Sequence, residues 1–248
     1  TLYFLKLEKY VSFSPALWRP RFDIWKKMMD IGLPAGGEML LLFVYFSAVY
    51  WLIQDFGAPA QAGFSIGGRI MQSIFMPTMA IAFAVGPIIG QNFGAGKIDR
   101  VRETFKSGII LSSVVMFITT VIMQWRPEVL VMFFTEDAEV IEVGAVFLQL
   151  ISLNFVAQGI VFTCSGVFQG LGNTRPALFS SGVRVLIFVP IAAYLRYQPD
   201  FSINVIWYIS ILSVTAQAIV SFLLVRREFM RELDSSENSL PADTEQAL

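Results

Sequence analysis

Three charged side chains, Glu38, Arg69 and Arg184, stand inside long apolar runs, where charge is costly enough to make them the first candidates for chemistry. Glu38 follows Lys27 by eleven residues, roughly 16 Å along a helix at 1.5 Å per residue. A carboxyl group at that depth can hold a proton or small cation and release it. Pro34, Gly36 and Gly37, just before it, would loosen the helix and let backbone or water approach. The plainer alternative is a carboxylate hydrogen-bonded in a crevice that carries nothing. Arg69 and Arg184 each fall about nine residues into an apolar run, about 14 Å by the same rise. Both need counter-charges. A structural Glu38–Arg69 pair is therefore a rival reading, since a permanent ion pair would take the acid out of proton traffic.

Asn154, Gln158, Ser165 and Gln169 recur at spacings of four, seven and four, which places them on one face of a helix. Such a stripe must face protein or water: it either touches a substrate or makes interhelical hydrogen bonds, worth about 0.6 kcal/mol each. Tyr45, two turns beyond Glu38, offers an aromatic face to a flat cationic substrate. Phe75, Met76 and Met79 read as packing.

The composition limits the other chemistries. Among 248 residues there is no histidine and a single cysteine, Cys164, which removes the commonest general base and metal ligand and any internal disulfide. No cofactor is expected. An intramembrane enzyme finds neither paired acids nor a Ser/Lys dyad. A net charge of −1 gives no electrostatic case for nucleic acid. With 55% hydrophobic residues, 23 phenylalanines and a mean hydropathy of +0.63, the expected partner is the lipid bilayer.

A bilayer core needs about 20 apolar helical residues to cross it. Six runs of that length lie near 30–53, 61–90, 105–125, 139–169, 176–195 and 203–225, separated by turn formers such as Gly57, Pro59, Gly94, Gly96, Pro127, Gly170, Gly172 and Pro199. The fold expected is all-α and polytopic. Fourteen of the eighteen basic residues fall before the first run, after the second, after the fourth and after the sixth, while the alternate loops hold Arg126 and Arg196 among acids. By the distribution of basic residues, both termini are cytoplasmic. Residues 1–27 read as the end of a preceding helix and an amphipathic cytoplasmic linker, 28–228 as a six-helix unit, and 229–248 as a disordered cytoplasmic tail.

The polar break "GPIIGQNFGAGKIDRVRETFKSG", residues 86–108, tests a phosphate loop and rejects it. A Walker spacing needs glycine where Gln91 stands and Ser or Thr where Ile98 stands, and a dinucleotide fingerprint needs glycine at Asp99. The stretch reads instead as a solvated cytoplasmic turn.

Four motifs in order, "IGLPAG" (31–36), "FMPTMAIAFAVGPIIGQNFGAGKIDR" (75–100), "VMFFTEDAEVIEVGAVFLQL" (131–150) and "SGVFQGLGNTRPAL" (165–178), resemble the multidrug and toxic compound extrusion (MATE) transporters. The resemblance implies one lobe of a two-lobe, internally repeated transporter in the inner or plasma membrane, here the C-terminal lobe with an N-terminal lobe of the same chain missing. It also implies alternating-access antiport of organic, cationic or amphiphilic small molecules against protons or sodium. A flippase for lipid-linked or amphiphilic substrates is the alternative on a related fold. In sodium-coupled members the acid of the first helix falls eight residues after the proline, where this chain has Leu42, one turn beyond Glu38. The second acid of that branch is replaced by Gln158, which can ligate a cation or substrate but cannot titrate.

Overall fold

The computed structural model describes residues 21–199 and 201–237, with side chains through 231. The expected helix end at 1–10 and the first part of the linker lie outside the described residues, as does the tail beyond 237. Within them the chain is helical, with no strand. The long helices are α1 (Phe22–Ile53), α2 (Gly57–Gly94) and α3 (Ile98–Trp125). Then follow the short α4 (Pro127–Met132), α5 (Ala138–Ser152), α6 (Phe155–Gly170), α7 (Arg175–Leu195) and α8 (Ile203–Glu237). Helix α1 begins at Phe22, inside the stretch read as linker, and runs through Pro34; α8 continues to Glu237, inside the stretch read as tail.

Four segments are long and apolar enough to cross a membrane, five if the bent α5–α6 pair counts as one crossing. The first of them, Phe22–Gly94, holds both α1 and α2. A 3-10 turn at Gln54–Phe56 leads into Gly57 at φ 87° and ψ −178°, a conformation nearly restricted to glycine. The chain folds back there. Tyr50 and Phe64, which a straight helix would hold roughly 21 Å apart at 1.5 Å per residue, meet with ring centroids 5.0 Å apart.

The glycine-rich break after α2 is a helix stop. Gly96 adopts φ 70°, its N–H donates to the Phe93 carbonyl at 3.0 Å, and the Lys97 N–H donates to the Asn92 carbonyl at 2.9 Å. This is a Schellman cap, which satisfies the last carbonyls of the helix from within its own backbone. The turn after α6 repeats it, with Gly172 donating to Gln169 and Asn173 to Phe168.

The run expected over 139–169 is broken. Helices α5 and α6 meet at 58°, although no proline or glycine stands at Leu153 or Asn154. Side chains of α3 claim the carbonyls instead: Thr120 donates to the Ser152 carbonyl at 2.9 Å and Gln124 to the Gln149 carbonyl at 2.8 Å. A helix whose carbonyls are engaged from outside bends at that point.

Helix α2 lies against α6 through small residues. A Cβ at Gly166 would stand 2.5 Å from the Ala82 carbonyl oxygen, and one at Gly170 would clash with the carbonyl of Gly86. Such stripes let backbones approach in lipid, where no hydrophobic drive brings helices together. An aromatic cluster of Phe64, Phe147 and Trp207 joins α2, α5 and α8, with Phe147 and Trp207 centroids 4.6 Å apart. Cys164, fully buried, sits in a second cluster with Val85, Ile89 and Phe168. On the outside, Phe43 and Phe117 are 71% and 61% exposed, a surface suited to hydrocarbon rather than water.

Candidate functional site

The turn after α6 fixes where the site can form. The Thr174 hydroxyl donates to the Ile31 carbonyl at 2.6 Å, close to Pro34 of α1, and Asn173 donates to Glu228 of α8 at 2.9 Å. The start of α7 is thereby tied to both α1 and α8. At the opposite end of α7, Arg196 pairs with Asp55 at 2.6 Å and covers the Trp51 ring at 4.0 Å. With its ends held, α7 faces α1, α6 and α8 across a cavity of about 90 Å³.

Glu38, Tyr45, Gln158 and Arg184 all line it, with Leu42, Ser165, Gln169, Ser181 and Gln217. Glu38 and Arg184 are the charged residues of the lining. Each is anchored to α6. Ser165 donates to Glu38 Oε2 at 2.9 Å, and Gln169 backs Ser165 at 3.4 Å. Two turns away on the same face, Gln158 Oε1 accepts from Arg184 at 3.3 Å. The expected polar stripe thus divides: Gln158, Ser165 and Gln169 face the cavity. Asn154, at the break before α6, is buried outside the lining, and its side-chain amide has no hydrogen-bond partner.

Arg69 does not meet Glu38. Its side chain is exposed on α2 and outside the cavity lining, and no ion pair joins the two among the described residues. A cation on the outer surface of a span can reach toward the interface along its own aliphatic stem, so it needs no buried acid. Tyr45 lines the cavity but is 5% exposed. The Arg184 guanidinium lies 3.9 Å from its ring centroid, the Phe188 ring is 4.7 Å away, and its hydroxyl shares a 2.7 Å hydrogen bond with Ser210. The ring expected to receive a flat cation already receives an arginine.

Ser181, Ser210 and Gln217 were not anticipated. Gln217 donates to Ser181 at 3.0 Å, and its Oε1 is buried without a partner. A signal was present, because Ser210, Ser213, Gln217 and Ser221 recur at spacings of three, four and four, and all four are buried.

The MatE family model matches residues 34–195, well over half of the chain. Over 169 residues the chain is 28% identical to a probable multidrug resistance protein NorM of Thermotoga maritima, covering 67% of this chain and 36% of that protein. Over 223 residues it is 22% identical to the multidrug export protein MepA of Staphylococcus haemolyticus, covering 90% of this chain and 49% of that protein. The fold matches an outward-facing multidrug resistance MATE transporter of the MOP superfamily with a TM-score of 0.84 at 18% identity, over 93% of this chain and 52% of that one. The chain therefore spans about half the length of these relatives or less. The family model and the shared fold agree, and the chain belongs to the MatE family of multidrug efflux transporters, which move substrates rather than transform them.

Proposed function

We propose that this chain forms one lobe of a cation-coupled antiporter that exports organic compounds by alternating access, with Glu38 as the ionisable group of its half-site. The single observation that carries the reading is the position of Glu38. It lines the cavity, holds one hydrogen bond from Ser165, and has no ion pair among the described residues. A carboxyl so held can exchange a proton or cation as the cavity changes its facing state, because a ligand shifts such an equilibrium only through differential binding. Leu42 lines the same cavity one turn further on, consistent with a carboxylate displaced along one helix face.

The lobe makes six crossings in this reading: α1, α2, α3, the α5–α6 pair, α7 and α8. The second lobe, related by internal repeat, closes the other side of the cavity, as relatives of about twice this length suggest. The membrane is the inner or plasma membrane, and both ends of the lobe are cytoplasmic.

Glu38→Gln in the complete transporter tests it. Export of ethidium driven by a proton or sodium gradient, measured in proteoliposomes, should fall at least tenfold while membrane insertion is retained, since glutamine keeps the size and one hydrogen-bonding oxygen. Wild-type export with unchanged cation dependence would move coupling to the other lobe.

A further inference from the structure

We propose that Arg184 is an anion-recognition site, and that the substrates of this lobe carry a carboxylate or another compact anionic group that docks there. The proposal rests on reading the cavity as the substrate site.

The guanidinium is a charge without an opposite charge. Among the described residues it joins no ion pair, and its one hydrogen bond is to a neutral amide, Gln158 Oε1, at 3.3 Å. Its Nε is buried with no partner. Glu38, the one acid of the lining, does not neutralise it. The partners that anchor the two, Ser165 and Gln158, are seven residues apart on α6, so the charges are held about two turns, roughly 10 Å, apart along the helix axis.

The surroundings hold the guanidinium in place. Tyr45 lies beneath it at 3.9 Å and is fixed by Ser210 and Phe188. A guanidinium stacked on a ring keeps its edge free, and that edge matches the two oxygens of a carboxylate. A guanidinium without a counter-charge is costly at this depth, and an anion docking on it relieves that cost, whereas an organic cation placed there would add to it. The cavity, about 90 Å³, has room for a compact anionic group, with the rest of a larger substrate extending beyond this lobe. The same chemistry could come from a soluble organic anion or from the phosphate of a lipid headgroup.

Benzoate and benzylamine, alike in size and opposite in charge, make the test. Each is added at millimolar concentration to the complete transporter in phosphatidylcholine nanodiscs, and the shift in Tm is read. Benzoate should raise Tm by a few degrees and benzylamine should not. Arg184→Gln should abolish the benzoate shift. Arg184→Lys, which keeps the charge but loses the fork, should retain a smaller one, and decides the matter should the glutamine variant not fold. Loss of the wild-type benzoate shift in phosphatidylglycerol nanodiscs would identify the anion as a lipid headgroup; its persistence would identify a soluble solute. Stabilisation by benzylamine alone, by both probes equally or by neither overturns the proposal. Gradient-driven export by the same protein in proteoliposomes, read with ethidium and with the carboxylate dye fluorescein, separates that result from failure of the transport reading itself.

Discussion

A methyl group at Gly166 would press on the Ala82 carbonyl oxygen at 2.5 Å, and neither backbone can yield without moving a helix. Gly166→Ala should therefore cost about 1–3 kcal/mol, the usual range for overpacking a tight contact, seen as a lower Tm in detergent. Gly68 is the control. Nothing lies within 4 Å of its absent Cβ, so Gly68→Ala should leave Tm unchanged or raise it slightly. At this scale the sequence was legible where one helix decided the outcome. Depth marked Glu38, and period marked Gln158 and Ser165, all of which line the cavity. It was not legible where distant segments decided. Tyr45 reads as an open aromatic until Ser210, 165 residues away, takes its hydroxyl and Arg184 takes its face. Gln217 was missed because serines in an apolar helix can satisfy themselves on the preceding turn, as Ser213 does on the Ser210 carbonyl, and so give little warning of a polar face.

Among the elements, the α5–α6 pair shows a bend that its own residues do not encode. Thr120 and Gln124 of α3 draw the Ser152 and Gln149 carbonyls out of the ladder, so the cause lies about 30 residues upstream. A Thr120→Val, Gln124→Leu double variant should lose two such bonds, each worth about 0.5–1.5 kcal/mol. The 58° bend should then relax. Spin labels at Glu139 and Leu171 would report it as a longer distance, and an unchanged distance would place the origin of the bend elsewhere. The hairpin between α1 and α2, by contrast, could be read from Gly57 and Pro59, since a turn requiring positive φ advertises itself as glycine. The break after α2 was equally legible as a stop and a turn, though its cap geometry was not.

For the whole molecule, the alternation of basic loops predicts an orientation of the lobe, and this can be tested from outside the cell. A cysteine introduced at Pro199 should react with a membrane-impermeant maleimide in intact cells, and one at Lys97 should react only after the membrane is opened. The reverse pattern would invert the topology. Hydropathy and loop composition sufficed for an all-helical membrane lobe because lipid leaves the backbone few alternatives. They could not show which helix faces meet across the cavity, since that depends on the ties at Thr174, Asn173 and Arg196.

The native thiol is placed to report on the integrity of this packing. Cys164 is fully enclosed among Val85, Ile89 and Phe168, on the helix that anchors both cavity charges. A reagent can reach it only when α6 parts from its neighbours. The rate at which the unmodified protein takes up a thiol label is therefore a clock for opening of the lobe. The same clock runs, without a further mutation, in those variants described above that add no cysteine.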